Sequence, residues 1–254
     1  MTSIQGNPVW YELMTPDPDA AAKFYAAVVG WKFRDSGQTA MEYRFLSTPD
    51  GDVGGMMKLP DGGPAPGWYG YIGVDDLDAS LAALTAAGGK IEMPPTEVPG
   101  AGRFAMVTDP QGILLYFMQP ASDQSSNSYA PALDGHCSWN ELSTGDQAGA
   151  LRFYGGLFGW TAGDAMDMGP MGKYQFISHG ERGLGAVMTA PPGTRPAWTY
   201  YFRVADVDAA AAATVKAGGR IDHGPSEVPG GDHIINVTDP QGAMFALVGK
   251  RGAA

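Results

Sequence analysis

Two glutamates stand out as residues able to do chemistry, because each lies in the same short pattern: Trp10-x-Glu12-Leu13-x-Thr15-x-Asp17 and Trp139-x-Glu141-Leu142-x-Thr144-x-Asp146. In an extended strand, side chains two residues apart point to one face, so each carboxylate shares its face with an indole. A carboxylate beside an indole is partly desolvated, which raises its pKa and suits it to act as a general base or as an acceptor for a ligand hydroxyl. The competing reading is structural: each glutamate accepts hydrogen bonds from tyrosines or backbone groups of neighbouring strands and pins the sheet. Other reactive residues are scarce. The single cysteine, Cys137, cannot form an internal disulfide or a thiolate metal site. His136 beside it is no nucleophile partner, because adjacent strand residues point to opposite faces. All four histidines, His136, His179, His223 and His233, fall in the second half of the chain and read as surface or strand-end residues unless two converge with Glu141. Gly54-Gly55 and Gly62-Gly63 read as turn or close-packing glycines, since no glycine-rich stretch opens a helix in a phosphate-binding pattern.

The elements that position these residues follow from an internal repeat at a shift of about 130 residues. Besides the glutamate pattern, it pairs Phe24-Tyr25 and Gly30-Trp31 with Phe153-Tyr154 and Gly159-Trp160, Trp68 and Tyr71 with Trp198 and Tyr201, and Asp109-Pro110-Gln111-Gly112 with Asp239-Pro240-Gln241-Gly242. A weaker shift of about 59 residues inside each copy lays Trp10, Asp17 and Gly30 on Tyr69, Asp76 and Gly89. Each copy is therefore itself two similar modules. Asp17-Pro18 is a helix start with N-cap and N1 residues in the preferred order, and Gly30 is a stop; in the sibling module Asp76 caps, Leu77, Leu81 and Leu84 share a face, and Gly88-Gly89 stops. Short strand-like runs follow each helix, and Asp-Pro-Gln-Gly is a turn between two of them. The order is βαβββ, four times over, an α+β fold of two domains, each a curved mixed sheet with helices on its outer face. The domains read as residues 1–120 and 135–254, joined by a Ser-, Asn- and Pro-rich linker at 121–134.

Composition narrows the partners. The chain has 254 residues with 16 Lys+Arg against 27 Asp+Glu, a net charge of −11, and is 44% hydrophobic, enough for a sizeable core. That charge opposes nucleic acid and anionic membrane surfaces. Its densest apolar run, Ile113 to Met118, is strand-length and too short to span a bilayer. A cytoplasmic location and a monomeric state are expected, because four modules in one chain can satisfy their own sheet edges.

These motifs, in this order and in two copies, resemble the vicinal oxygen chelate superfamily of glyoxalase I, bleomycin-resistance proteins and extradiol dioxygenases. The resemblance covers about residues 7–119 and 136–249. It implies a concave cavity faced by Trp10, Glu12, Trp139 and Glu141, in which metal-dependent members hold a divalent ion with ligands from the first and last strands of each module. Carried over, those positions fall on Trp10 and Trp139, on Tyr69 and Thr199, and on Tyr116 and Ala246, while the first module's last strand offers Met57 and its counterpart Met188. The resemblance thus implies an ancestral metal site replaced by an aromatic and thioether lining, with no cofactor expected. Trp10, Met57, Tyr69, Tyr71, Tyr116, Trp139, Met188 and Tyr201 are the expected ligand-contacting residues, and Glu12 and Glu141 the catalytic candidates. Trp31, Trp160, Phe24 and Phe153 are assigned to helix-to-sheet packing, and Arg103 either reaches an anionic substrate or lies exposed on its strand. The function expected is binding of a small organic molecule, by a sequestering protein or a metal-independent enzyme. The rivals are a divalent-metal-dependent lyase or dioxygenase recruiting Glu12, Glu141, His179 or His233, and a non-catalytic structural or interaction protein.

Overall fold

The computed structural model describes residues 3–37, 42–122 and 126–252. Residues 123–125 of the expected linker lie outside them. The first module runs β1 (Pro8–Thr15), α1 (Pro18–Val28), β2 (Lys32–Asp35), β3 (Tyr43–Thr48) and β4 (Gly51–Lys58), and the second runs β5 (Gly67–Gly73), α2 (Leu77–Ala86), β6 (Lys90–Val98), β7 (Gly102–Thr108) and β8 (Leu114–Pro120). The second copy repeats the order as β9 (Cys137–Thr144), α3 (Gln147–Phe158), β10 (Thr161–Asp167), β11 (Lys173–His179) and β12 (Arg182–Thr189), then β13 (Ala197–Asp206), α4 (Val207–Lys216), β14 (Arg220–Val228), β15 (Asp232–Thr238) and β16 (Met244–Lys250). The strands form two mixed eight-stranded sheets, in the orders β2-β3-β4-β1-β5-β8-β7-β6 and β10-β11-β12-β9-β13-β16-β15-β14.

The four helices start where the repeat places an aspartate. Asp17, Asp76, Asp146 and Asp206 each accept a hydrogen bond from a first-turn backbone N–H, at 3.0, 3.0, 2.8 and 3.0 Å. That satisfies one of the donors a helix start leaves unpaired and places a negative charge at the positive end of the helix dipole. The Asp-Pro-Gln-Gly turns close in the same way. Asp109 Oδ1 accepts from Gln111 N and Ile113 N, both at 2.9 Å, and Asp239 Oδ1 from Gln241 N at 2.9 Å and Ala243 N at 2.8 Å.

The described chain divides into two compact units, each combining one module from either copy: Met1–Val9, Gly70–Ser125 and Asn140–Trp198 in one, and Trp10–Tyr69, Ser126–Trp139 and Thr199–Ala254 in the other. The core of the second unit is built on Tyr25 of α1. Its hydroxyl donates to Asp239 Oδ2 at 3.0 Å and accepts from Trp68 Nε1 at 2.9 Å, while its ring lies 5.1 Å from Phe245 and 5.7 Å from Trp31. In the first unit, Tyr154 of α3 donates to Asp109 Oδ2 at 3.1 Å, accepts from Trp198 Nε1 at 3.4 Å and lies 5.5 Å from Trp160. Trp31 and Trp160 donate to the carbonyls of Gly135 and Gly6, both at 2.7 Å. The strongest repeated motifs, Phe-Tyr, Gly-Trp and Asp-Pro-Gln-Gly, are thus core fastenings. Burial pushes both tyrosine-bonded carboxyls, Asp109 and Asp239, above their ordinary pKa against the opposing pull of their hydrogen bonds.

Of the two places expected for the histidines, surface or strand end, His136 takes the second: it immediately precedes β9 and is fully buried. Its backbone is taken into the strand pairing, with its carbonyl accepting from Arg203 N at 2.9 Å, and its Nδ1 lies 3.0 Å from the carbonyl of Asp134.

Candidate functional site

The predicted residues gather into four patches, two in each compact unit. In the second unit, β1 pairs in parallel with β4 so that Glu12 stands opposite Gly55 and Met14 opposite Met57, and β3 adds Tyr43 opposite Met57 and Phe45 opposite Gly55. Paired positions share a face, so Trp10, Glu12, Tyr43, Phe45 and Met57 project together, while Tyr11 and Leu13 point into the core. Trp10 Nε1 donates to Tyr43 Oη at 3.0 Å, and the Trp10 and Phe45 rings meet edge-on at 6.2 Å. Glu12 is only 4% exposed. Two glycines make this packing possible. A Cβ on Gly55 would land on the Tyr43 hydroxyl, and one on Gly54 would lie 2.6 Å from the carbonyl oxygen of Tyr11.

The equivalent patch in the first unit holds Glu141, opposite Ala186 on β12, with Phe176 of β11 also opposite Ala186. Tyr174 Oη donates to Glu141 Oε2 at 2.7 Å, and the Tyr174 and Phe176 rings meet edge-on at 5.7 Å. Glu141 and Met188 are half-buried. Here the glutamate engages a tyrosine of the neighbouring hairpin, as the structural reading of these carboxylates anticipates.

The second-module patches lie on the parallel pairs β5–β8 and β13–β16. In the first unit Tyr71 stands opposite Tyr116, the rings stacked at 4.3 Å and 6° with Phe104 alongside at about 6 Å. Tyr116 Oη reaches Met106 Sδ at 3.4 Å. In the second unit Tyr201 stands opposite Ala246, with Val248 beside them and Trp139 and Ile234 packed against the group. Tyr69, on the same strand face as Tyr71 and two residues earlier, turns its hydroxyl back to the carbonyl of Ala65 at 2.6 Å. A surface groove of about 570 Å³ beside α2, lined among others by Leu81, Thr85, Ile91 and Pro95, contains none of the predicted residues.

The remaining candidates are placed as follows. Arg103 forks onto Asp78 at 3.0 and 3.1 Å. His179 Nδ1 lies 3.2 Å from Asn7 Oδ1, and His223 is exposed with its Nε2 3.0 Å from Ser226 Oγ. His233 follows Asp232 and precedes Ile234 on β15, so it points to the face opposite the Tyr201–Ala246 patch. Burial pushes the Cys137 thiol up to about 12, which leaves it protonated and unreactive. The donor set facing the patches is indole, phenol, thioether and methyl, with one carboxylate in each copy and the Asn236 amide opposite Ala246. A divalent ion needs several hard-oxygen or imidazole ligands converging, and the described residues bring no three His, Cys, Asp or Glu side chains together. These residues do not fit a metal centre of the kind the resemblance implies.

Sequence reasoning missed Tyr43 and Tyr174, the partners of Trp10 and Glu141. The signal was available: Tyr43-x-Phe45 and Tyr174-x-Phe176 recur between the copies, but no reactive group drew attention to them.

Fold and motifs agree with the family comparison. The chain belongs to the Glyoxalase/Bleomycin resistance protein/Dioxygenase superfamily, whose model matches it twice, at residues 7–117 and 135–247. It is 33% identical over 250 residues to CFP32 of Mycobacterium bovis, which carries a provisional glyoxylase name, covering 96% of this chain and 95% of the relative. It is 29% identical over 268 residues to the anthracycline biosynthesis protein DauV of a Streptomyces species, covering 98% and 94%. Among solved structures, the Mn(II)-bound glyoxalase of Novosphingobium aromaticivorans superposes with a TM-score of 0.65 at 19% identity, covering 98% of this chain and 83% of that one. That likeness speaks for the fold.

Proposed function

We propose that this chain is a member of its family that binds a small, planar organic molecule on aromatic patches without an obligatory metal, either as a sequestering protein or as a metal-independent enzyme. The observation that carries this reading is the chemistry of the facing side chains: the positions that the resemblance assigns to metal ligands carry mainly rings and thioethers, with a methyl group at Ala246 and a hydroxyl at Thr199. Such a lining rewards apolar contact and stacking, and a single carboxylate in each copy supplies one polar handle. Glu12, buried on the strand face it shares with Trp10, and Glu141, which accepts from Tyr174, are the candidates for accepting a ligand hydroxyl or abstracting its proton. The similarity to an anthracycline biosynthesis protein accords with a planar ligand.

The test is a thermal-shift screen of planar aromatic and aliphatic compounds on protein analysed for zinc, nickel, iron and manganese. A ligand at 100 times its Kd stabilises the folded state by about 2.7 kcal/mol, so binders separate clearly from non-binders. Stabilisation by aromatic compounds at well under one metal per chain supports the proposal. Near-stoichiometric metal together with thiol-dependent isomerisation of methylglyoxal overturns it in favour of a lyase.

A further inference from the structure

The two second-module patches differ in one informative way. In the first unit a row of three side chains crosses β5, β8 and β7: Tyr71 opposite Tyr116, and Tyr116 opposite Met106. The middle phenol stacks on Tyr71 and touches the Met106 sulfur with its hydroxyl. In the second unit the same row across β13, β16 and β15 reads Tyr201, Ala246, Asn236. The flanking tyrosine is kept, the middle phenol is cut to a methyl group, and the third residue becomes a polar acceptor. Asn236 Oδ1 is buried and has no hydrogen-bond partner among the described residues. A buried carbonyl oxygen left unpaired has given up its hydrogen bonds to water without replacement, so a group that donates to it is strongly favoured. What the second row lacks, compared with the first, is one aromatic ring carrying one hydroxyl.

We infer that the Tyr201–Ala246–Asn236 row is a binding site for a hydroxyaryl group, and that Tyr116 is the chain's own occupant of the corresponding site in the first copy. This rests on the reading of the protein as a binder of planar molecules and names which copy binds and what chemistry it takes. The ligand ring stacks on the Tyr201 face above Ala246, as Tyr116 stacks on Tyr71, and its hydroxyl donates to Asn236 Oδ1. Trp139, half-buried and packed against Tyr201 and Ala246, is the side chain that must give way to the incoming ring and then flank it. The asymmetry predicts one site per chain, not two.

The probe is p-cresol, which is the tyrosine side chain as a free molecule, compared with toluene, which has the ring without the hydroxyl. Equilibrium dialysis of the full chain is expected to give one p-cresol per chain, with toluene at least about tenfold weaker. Ala246→Tyr should abolish binding by restoring the first copy's arrangement. Because that variant adds bulk to a buried position, Asn236→Leu provides an independent arm: it should bring p-cresol and toluene to the same affinity. Tyr116→Ala combined with Met106→Asn should open a second site and raise the stoichiometry to two. Unchanged p-cresol binding in a folded Ala246→Tyr protein, or equal binding of p-cresol and toluene by the unaltered chain, overturns the inference. If p-cresol fails to bind while another aromatic compound of the screen does, this site assignment falls and the binding reading stands. If no compound binds, both fall.

Discussion

At the residue scale, the paired tyrosines and aspartates do the most to explain why the copies look alike. Tyr25 and Tyr154 each satisfy a buried carboxylate and an indole N–H at once. Tyr154→Phe leaves Asp109 and Trp198 short of a partner and is expected to cost about 1–3 kcal/mol in urea denaturation, with Tyr25→Phe costing as much. Burial holds the carboxyls of Asp109 and Asp239 above their ordinary pKa, so the folded state keeps their protons to higher pH than the unfolded state does. Their contribution is therefore fully present below the unfolded carboxyl pKa and is lost as pH rises through the folded value. Asp239→Asn should flatten that part of the stability profile. Asp232 runs the other way, because the Arg203 guanidinium holds its pKa down, with Lys250 adding to the effect. Its contribution is present above the unfolded carboxyl pKa and is lost as pH falls through the lowered one. Comparing Asp239→Asn and Asp232→Asn by denaturation across acidic pH should give opposite changes in slope.

At the scale of elements, helix starts and strand contacts set which face each candidate residue occupies. Asp146 accepts from Gly149 N at 2.8 Å, so Asp146→Ala is expected to destabilise the protein by about 1 kcal/mol, measured as a lowered urea midpoint at unchanged slope. Gly54 is more demanding, since a Cβ there would meet the Tyr11 carbonyl at 2.6 Å, where the partner is backbone and cannot swing aside. Gly54→Ala should cost about 1–3 kcal/mol. By shifting β4 against β1 it should also weaken any ligand that uses the Trp10, Glu12 and Met57 patch.

At the scale of the whole molecule, each compact unit takes one module from each copy, so a sequence copy is not a self-sufficient body. Residues 1–122 expressed alone would keep Phe24, Tyr25, Trp31 and Trp68 but lose Phe202, Asp239 and Phe245, the groups these side chains pack against and bond. The exposed aromatic surface and the loss of the Asp239 acceptor of the Tyr25 hydroxyl should leave that fragment either without a cooperative unfolding transition or self-associated. Circular dichroism with light scattering distinguishes these states from a folded monomer. The full chain, holding both halves of each core, is expected to scatter as a 26.6 kDa monomer.

The repeat, the order of strands and helices and the capping aspartates were all legible in the residues alone, because period, caps and turn chemistry are local properties. So was the common face of Glu12 and Trp10, which strand alternation dictates. The roles of the most repeated motifs were not, since Tyr25 meets Asp239 across 214 positions of chain and no local pattern announces such a pair. Nor did sequence reveal that Glu141 is engaged by Tyr174, that His136 is buried, or that Ala246 lies between Tyr201 and an unpaired Asn236 oxygen. Those are matters of register between strands distant in the chain, and only tertiary packing decides which side chain stands opposite which.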